Sequence, residues 1–105
     1  MNIRLSAEAQ KDLRAIWDYG RSNWGLPQAD LYLDQILLRI GWLPSNPGLW
    51  RPRPELGKGV HSYPEQQHVI VFRKTRHVLC ISRVLHHGMD PFRRVFGGTS
   101  AEPIG

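Results

Sequence analysis

Apolar residues recur through the first half of the chain at steps of three and four. Ala9, Leu13, Ile16, Trp17, Gly20 and Trp24 fall on one face of a helix, and Lys11, Asp12, Arg14, Asp18 and Arg21 on the other. Ser6 is placed to cap this helix, Glu8 in the first turn suits its dipole, and Gly25 closes it. Trp17 and Trp24 are expected in the core. Pro27 suits the first turn of a second helix, with a core stripe of Ala29, Leu33, Ile36, Leu37, Ile40 and Leu43. Leu31, Tyr32 and Leu38 lie off that stripe, so this helix is apolar on more than one side and predicts a second buried face or a partner surface. Pro44 stops it. The short Gly25–Leu26 link makes the two helices an antiparallel hairpin.

The period then changes. Residues 2–5 read as a short strand. Residues 44–57 carry four Pro and two Gly, but Leu49, Trp50 and Leu56 anchor this stretch as an ordered loop, and Trp50 there suits either the core or a partner surface. Val60–Tyr63 is a short strand. Gln67–Arg73 and His77–Leu85 alternate with apolar residues on both faces, which marks central strands, and Lys74–Arg76 turns one into the other. The order β-α-α-β-β-β predicts an α+β fold, a helical hairpin packed on one face of a mostly antiparallel sheet. Residues 1–96 are expected to form one domain, and residues 97–105 a flexible polar tail. Two helices cover only one face of such a sheet, leaving the other face and the outer side of the second helix for a partner.

At 105 residues the chain has room for one core and no second domain. Its net charge of +5 is unevenly placed. Residues 1–50 hold five basic and five acidic side chains, whereas residues 51–105 hold nine basic, four acidic and all five His. That bias points to an acidic partner or to a solvated basic face. Cys80, the only cysteine, lies in the apolar run Val78–Ile81 and reads as a buried structural thiol in a reducing cytosol. The N-terminus lacks a signal-peptide core, and no apolar run nears the roughly 20 residues of a membrane helix, so a cytoplasmic protein with no membrane partner is expected.

Five chemistries bear on this sequence. His86 and His87 are neighbours at a strand end, so their side chains should point apart, and no HExxH or CxxC spacing is present; no metal or cofactor is expected. Arg73 and Arg83 on adjacent strands, with His86 or His87 nearby, would make a general acid–base constellation for RNA cleavage. Ser62 and Ser82 lack a nucleophile-elbow context, and Gly57-Lys58-Gly59 is too short for a phosphate loop. Tyr63, Phe72, Phe92 and Phe96 in a basic half could stack bases, although no helix-turn-helix signature is present. Four Trp, a two-sided apolar helix and a half-covered sheet favour protein binding.

A series of short motifs resembles one family. Leu5-Ser-Ala-Glu-Ala, then Ile16-Trp17-Asp18-Tyr19 and Trp24-Gly25, is similar to the opening of ParE, the toxin of bacterial ParDE toxin–antitoxin modules. Asn46-Pro47-Gly48-Leu49 and Arg51-Pro52-Arg53-Pro54-Glu55-Leu56 resemble its middle loop. Ser62-Tyr63-Pro64, His68–Arg73 and Arg83–Pro91 resemble its strands and terminal motif. The resemblance spans residues 3 to about 91 and implies the RelE/ParE fold. It further implies a non-enzymatic inhibitor of DNA gyrase, neutralised by a ParD-like antitoxin in a hetero-oligomer, with no direct sequence-specific nucleic-acid binding by the toxin alone. The alternative within the superfamily is a RelE-like ribosome-dependent mRNA endonuclease, commonly with a tyrosine near the C-terminus; here no Tyr follows Tyr63. Gln66-Gln67 stands where the family pattern would have a Gly-Arg pair. On this reading Arg83, His86, Met89, Asp90 and Arg93 would face gyrase, and Tyr32, Leu38, Trp42, Trp50 and Arg73 the antitoxin.

Overall fold

The computed structural model describes residues 1–89. Strand β1 (Asn2–Leu5) leads into helix α1 (Ala7–Trp24) and helix α2 (Leu26–Trp42). Two 3-10 turns, Leu43–Ser45 and Pro47–Leu49, then carry the chain to the two-residue strand β2 (Arg51–Pro52). A further turn, Pro54–Leu56, precedes strands β3 (Val60–Glu65), β4 (His68–Lys74) and β5 (Val78–His86), and a last 3-10 turn covers His87–Met89. The sheet order is β1-β5-β4-β3-β2. Three pairings are antiparallel and β1–β5 is parallel. The expected α+β architecture is therefore present, with β2 as an added edge strand from the Pro-rich loop. The expected boundary between a domain and a tail at residues 96 and 97 lies outside the described residues.

Local chemistry sets the helix ends. Ser6 Oγ accepts from the Ala9 N–H (3.0 Å) and donates to the Ser82 carbonyl (2.8 Å), so one hydroxyl caps α1 and ties it to β5. Gly25, at φ 95°, ends α1 and begins α2 within one residue, a conformation in which a side chain would be strained. Gly20 lets the two helices meet: a Cβ there would lie 3.2 Å from the Ala29 Cβ.

The core lies between the helical hairpin and the sheet, centred on Ile36, Leu43, Ile70, Phe72, Leu79 and Ile81, all fully buried. A smaller cluster of Val60, Val69 and Val71, with Leu56 and Leu85 against it, lies apart from the main core. Two expectations about the helices are corrected. The buried stripe of α2 runs Ala29, Tyr32, Ile36, Ile40, with Leu43 just beyond, so Tyr32 belongs to the core and Leu37 is exposed. A phenol can take a core position when its hydroxyl is satisfied, and Tyr32 has two partners. Trp24 is 53% exposed rather than core: it ends α1, with its ring against those of Tyr19 and Tyr32. Cys80 is only half-buried.

The middle loop is held by polar and aromatic contacts. The Trp50 indole N–H donates to the Leu43 carbonyl (2.9 Å), and its ring stands edge-on to Phe72 at 5.1 Å, so Trp50 is half-buried. Arg53 is buried, donating to Glu55 (2.5 Å) and to Ser62 Oγ (3.1 Å). At the β3–β4 turn Gln66 adopts φ 55°, where glycine is usual, and its side chain bonds Gln35 on α2.

Candidate functional site

Two surfaces combine exposed apolar side chains with oriented polar ones. The first is a groove of about 530 Å³ between α1, the start of α2 and the ends of β4 and β5. Ile16, Tyr19, Trp24 and Leu85 give it apolar walls; Asp12, Arg83, His68 and His86 give it polar ones.

Asp12 organises one side. Arg83 donates to it through Nε (2.8 Å) and a terminal nitrogen (3.1 Å), and the Val84 backbone N–H donates to the same carboxylate (2.9 Å). The bonds from Asp12 hold the Arg83 pKa above its ordinary value, with burial opposing them. Asp12 thereby fastens α1 to β5 just past the irregular pairing opposite Val71 and Phe72.

A hydrogen-bond relay runs along the other side. The Gln67 N–H donates to Tyr32 Oη (3.2 Å), so the Tyr32 hydroxyl is free to donate to His68 Nδ1 (2.7 Å). Burial, then repulsion from His86 and His87, pushes His68 down to about 4, so its ring is neutral at pH 7. Burial raises the Tyr32 phenol above its usual value. His86 Nδ1 accepts from the Gly88 N–H (3.2 Å). The expected divergence of His86 and His87 is not seen: their rings stack at 5.1 Å and 19°. The strand ends at His86 and the chain turns at His87, so the alternation that would separate them stops there. Among the described residues, no group of three or more His, Cys, Asp or Glu is placed to hold a metal ion.

The second surface lies on α2. Leu38 is 74% exposed and Leu31 is 50% exposed, and Trp42 continues their row. Beside them the Arg39 guanidinium lies over the Trp42 ring (4.5 Å) and the Tyr63 ring (5.3 Å) and donates to Glu65 (2.8 Å). Gln35, Leu38, Arg39, Trp42, Glu65 and Gln66 border a shallow depression here.

The residues read from the sequence as sites fall in different places. Arg83 and His86 meet in the groove. Met89 ends the last described turn, while Asp90 and Arg93 lie outside the described residues. Leu38 and Trp42 share the α2 surface. Tyr32 forms the buried floor of the groove and Trp50 is packed on Phe72, so neither offers a free ring. Arg73 pairs with Val60, at the opposite end of β3 from Glu65, and so stands apart from Leu38 and Trp42. Asp12, Tyr19, Trp24 and His68 were not anticipated at a site. A lone His in an apolar strand was the one available sign for His68; Asp12 had none, since its partner lies 71 residues away.

The family model described as the ParE toxin of the type II toxin–antitoxin system parDE matches residues 3–91. The chain is 34% identical over 87 residues to "Toxin ParE1" of Caulobacter vibrioides, covering 83% of this chain and 90% of that protein. It is 33% identical over 92 residues to "Toxin ParE1" of Mycobacterium tuberculosis, covering 87% and 94%. Among solved structures, a chain of the chromosomal ParDE toxin–antitoxin system from P. aeruginosa superposes with a TM-score of 0.72 at 22% identity, covering 82% of this chain and 95% of that one. A chain of the E. coli DinJ-YafQ complex shares the fold at a TM-score of 0.59 and 16% identity, covering 86% and 97%.

Proposed function

The chain belongs to the ParE family, the toxins of type II toxin–antitoxin systems, and from that premise we propose that it inhibits DNA gyrase by binding, without catalysis, and is neutralised by a ParD-like antitoxin. The reading places it in the cytoplasm, with its target. The observation that carries it is the pair of apolar surfaces left uncovered on so small a protein, since exposed apolar patches mark interfaces. An amphipathic antitoxin helix fits the row Leu31, Leu38 and Trp42, with Arg39 and Glu65 as polar rim. On this reading Arg83 and His86 contact gyrase, and the sequence adds Met89, Asp90 and Arg93 as further candidates.

The test is supercoiling of relaxed plasmid by purified gyrase. The chain is expected to inhibit it, and a ParD-like antitoxin to restore it. Unchanged supercoiling, together with new mRNA cuts phased to codons after induction in cells, would refute the reading. The second reading, ribosome-dependent mRNA cleavage, draws on one observation: Arg83, His68 and His86 border the same groove. Their bonding supports the first reading instead, since Arg83 is held by Asp12 and His68 Nδ1 by Tyr32. No helix among the described residues is long and apolar enough to cross a membrane.

A further inference from the structure

We propose that the β4–β5 hairpin end of the sheet binds the phosphate backbone of duplex DNA, independently of sequence, through Lys58, Arg73, Lys74 and Arg76. From Arg53 to Met89 the chain holds six Lys or Arg and two carboxylates, Glu55, which is bound to Arg53, and Glu65. Arg83 is engaged by Asp12. The other four cations lie together. Arg73 pairs with Val60, two residues after Lys58, and with Cys80 on β5. Lys74 ends β4, and Arg76 sits in the turn that Thr75 closes by donating from its N–H and its hydroxyl to the Val78 carbonyl (2.9 and 3.2 Å). Arg73 leans toward the Lys58 loop: a Cβ on Gly57 would lie 2.9 Å from its guanidinium, so glycine makes room for it.

All four cations are exposed, and among the described residues none is in an ion pair or side-chain hydrogen bond. Glu65 is at the far end of β3, bound to Arg39. Six residues of β4 separate the two ends, about 20 Å. At that separation, beyond a Debye length at physiological salt, the carboxylate does little to offset the cluster.

The chemistry of the patch selects the partner. Among the described residues, Met1 and Ile3, at the start of β1 beside Val78 and Leu79, are the large exposed apolar side chains at this end; the others lie on the helices and at Leu49. Single strands are held by stacking on aromatic rings, and amphipathic peptide helices by an apolar groove; among the described residues this end of the sheet offers no exposed Trp, Tyr or Phe, with His77 its one exposed ring, and no apolar groove. Cations alone suit phosphates, whose contacts position a protein without reading sequence. With Lys58 in the turn before β3, Arg73 and Lys74 at the end of β4 and Arg76 in the β4–β5 turn, the four charges border neighbouring strands about 5 Å apart, a spacing that suits successive phosphates.

The experiment needs neither gyrase nor antitoxin, so its outcome is separable from the gyrase reading. Fluorescence anisotropy follows the full chain binding a labelled duplex of arbitrary sequence between about 50 and 200 mM salt. Lys74→Glu/Arg76→Glu is compared with Lys11→Glu/Arg14→Glu, which makes the same charge change on the exposed side of α1. The hairpin pair should weaken binding about tenfold or more and lower the slope of log K against log salt by about 2, at roughly 0.9 per phosphate contact. The α1 pair should change affinity less than about threefold. Lys74→Gln/Arg76→Gln, checked by urea unfolding, repeats the comparison without introducing acid. No duplex binding at the lowest salt, equal losses for the hairpin and α1 pairs, or preference for an acidic peptide over the duplex would each overturn the proposal.

Discussion

Asp12 offers a direct test of how α1 is joined to the sheet. Its carboxylate accepts two hydrogen bonds from Arg83 and one from the Val84 N–H. These are unequal in worth. The Arg83 side chain is 44% exposed, so solvent screens the ion pair, and pairs of this kind contribute about 0.2–1 kcal/mol. The Val84 amide is different: Val84 is 3% exposed, and an unsatisfied buried N–H costs about 1–3 kcal/mol. Asp12→Ala removes both and should destabilise the fold by about 2 kcal/mol. Asp12→Asn keeps an acceptor for the amide but turns a dipole toward a cation, and should cost about 1 kcal/mol. Arg83→Ala loses only the screened pair and should cost under about 1 kcal/mol. Urea unfolding measures the order. With an m-value of about 1–1.5 kcal/mol/M for a chain of this size, Asp12→Ala should lower the midpoint by roughly 1–2 M and Arg83→Ala by well under 1 M. An Arg83→Ala loss as large as that of Asp12→Ala would refute the reasoning, since the charge pair rather than the amide would then be the fastening.

Four further outcomes are expected. His68 has its folded pKa lowered to about 4 from 6.5, so the unfolded chain binds more protons between those values; stability is fully present above pH 6.5 and declines as pH falls toward 4. Discounted for partial solvent exposure, the decline from this group is about 1–2 kcal/mol, and urea midpoints taken across that window should flatten in His68→Asn relative to the unaltered chain. Gln66→Gly removes a positive-φ strain at the β3–β4 turn and should raise stability by about 0.5–1 kcal/mol, less the exposed bond to Gln35; a lower melting temperature would contradict the turn geometry. Trp50→Ala opens a hole beside Phe72 and removes one of the two hydrogen bonds to the Leu43 carbonyl, which keeps that from the Asn46 N–H, a loss of about 3 kcal/mol by the same unfolding assay. Leu38→Glu should leave the unfolding midpoint within about 0.5 kcal/mol, since the side chain is 74% exposed, yet weaken antitoxin binding by calorimetry about a hundredfold; unchanged affinity would remove the α2 row from the interface.

The elements themselves were legible because their signals are local. The cap at Ser6, the glycine break at Gly25 and the alternation in β4 and β5 each need only a few neighbouring residues. What escaped depends on residues far apart. Tyr32 entered the core because Gln67 and His68 satisfy its hydroxyl, 35 and 36 residues on. The strand β2 exists because Arg51 and Pro52 pair with Ser62 and His61, in a stretch whose composition reads as loop. Arg53, one more cation in a Pro-rich run, is 4% exposed because Ser62 and Glu55 meet it there. The parallel placement of β1 beside β5 likewise has no local sign, since it follows from how α1 returns across the sheet.

The charge bias changes meaning once these placements are known. A count over residues 51–105 treats nine cations as one basic half. Arg53 is withdrawn into the interior beside Glu55, and Arg83 is met by the Asp12 carboxylate. Of the described cations in that half, Arg51, Lys58, Arg73, Lys74 and Arg76 are exposed without an ion pair, and the last four gather at the hairpin end. The groove, with its apolar walls and one neutralised Arg, sits toward the opposite end of β4, at His68. A long-range bias thus resolves into two ends of one sheet with different chemistry: one suited to apolar and shape-dependent contact, the other to a polyanion. Salt separates them. Screening should weaken whatever binds at the hairpin end steeply, and leave an apolar partner on the groove or on Leu38 and Trp42 nearly unaffected between about 50 and 200 mM.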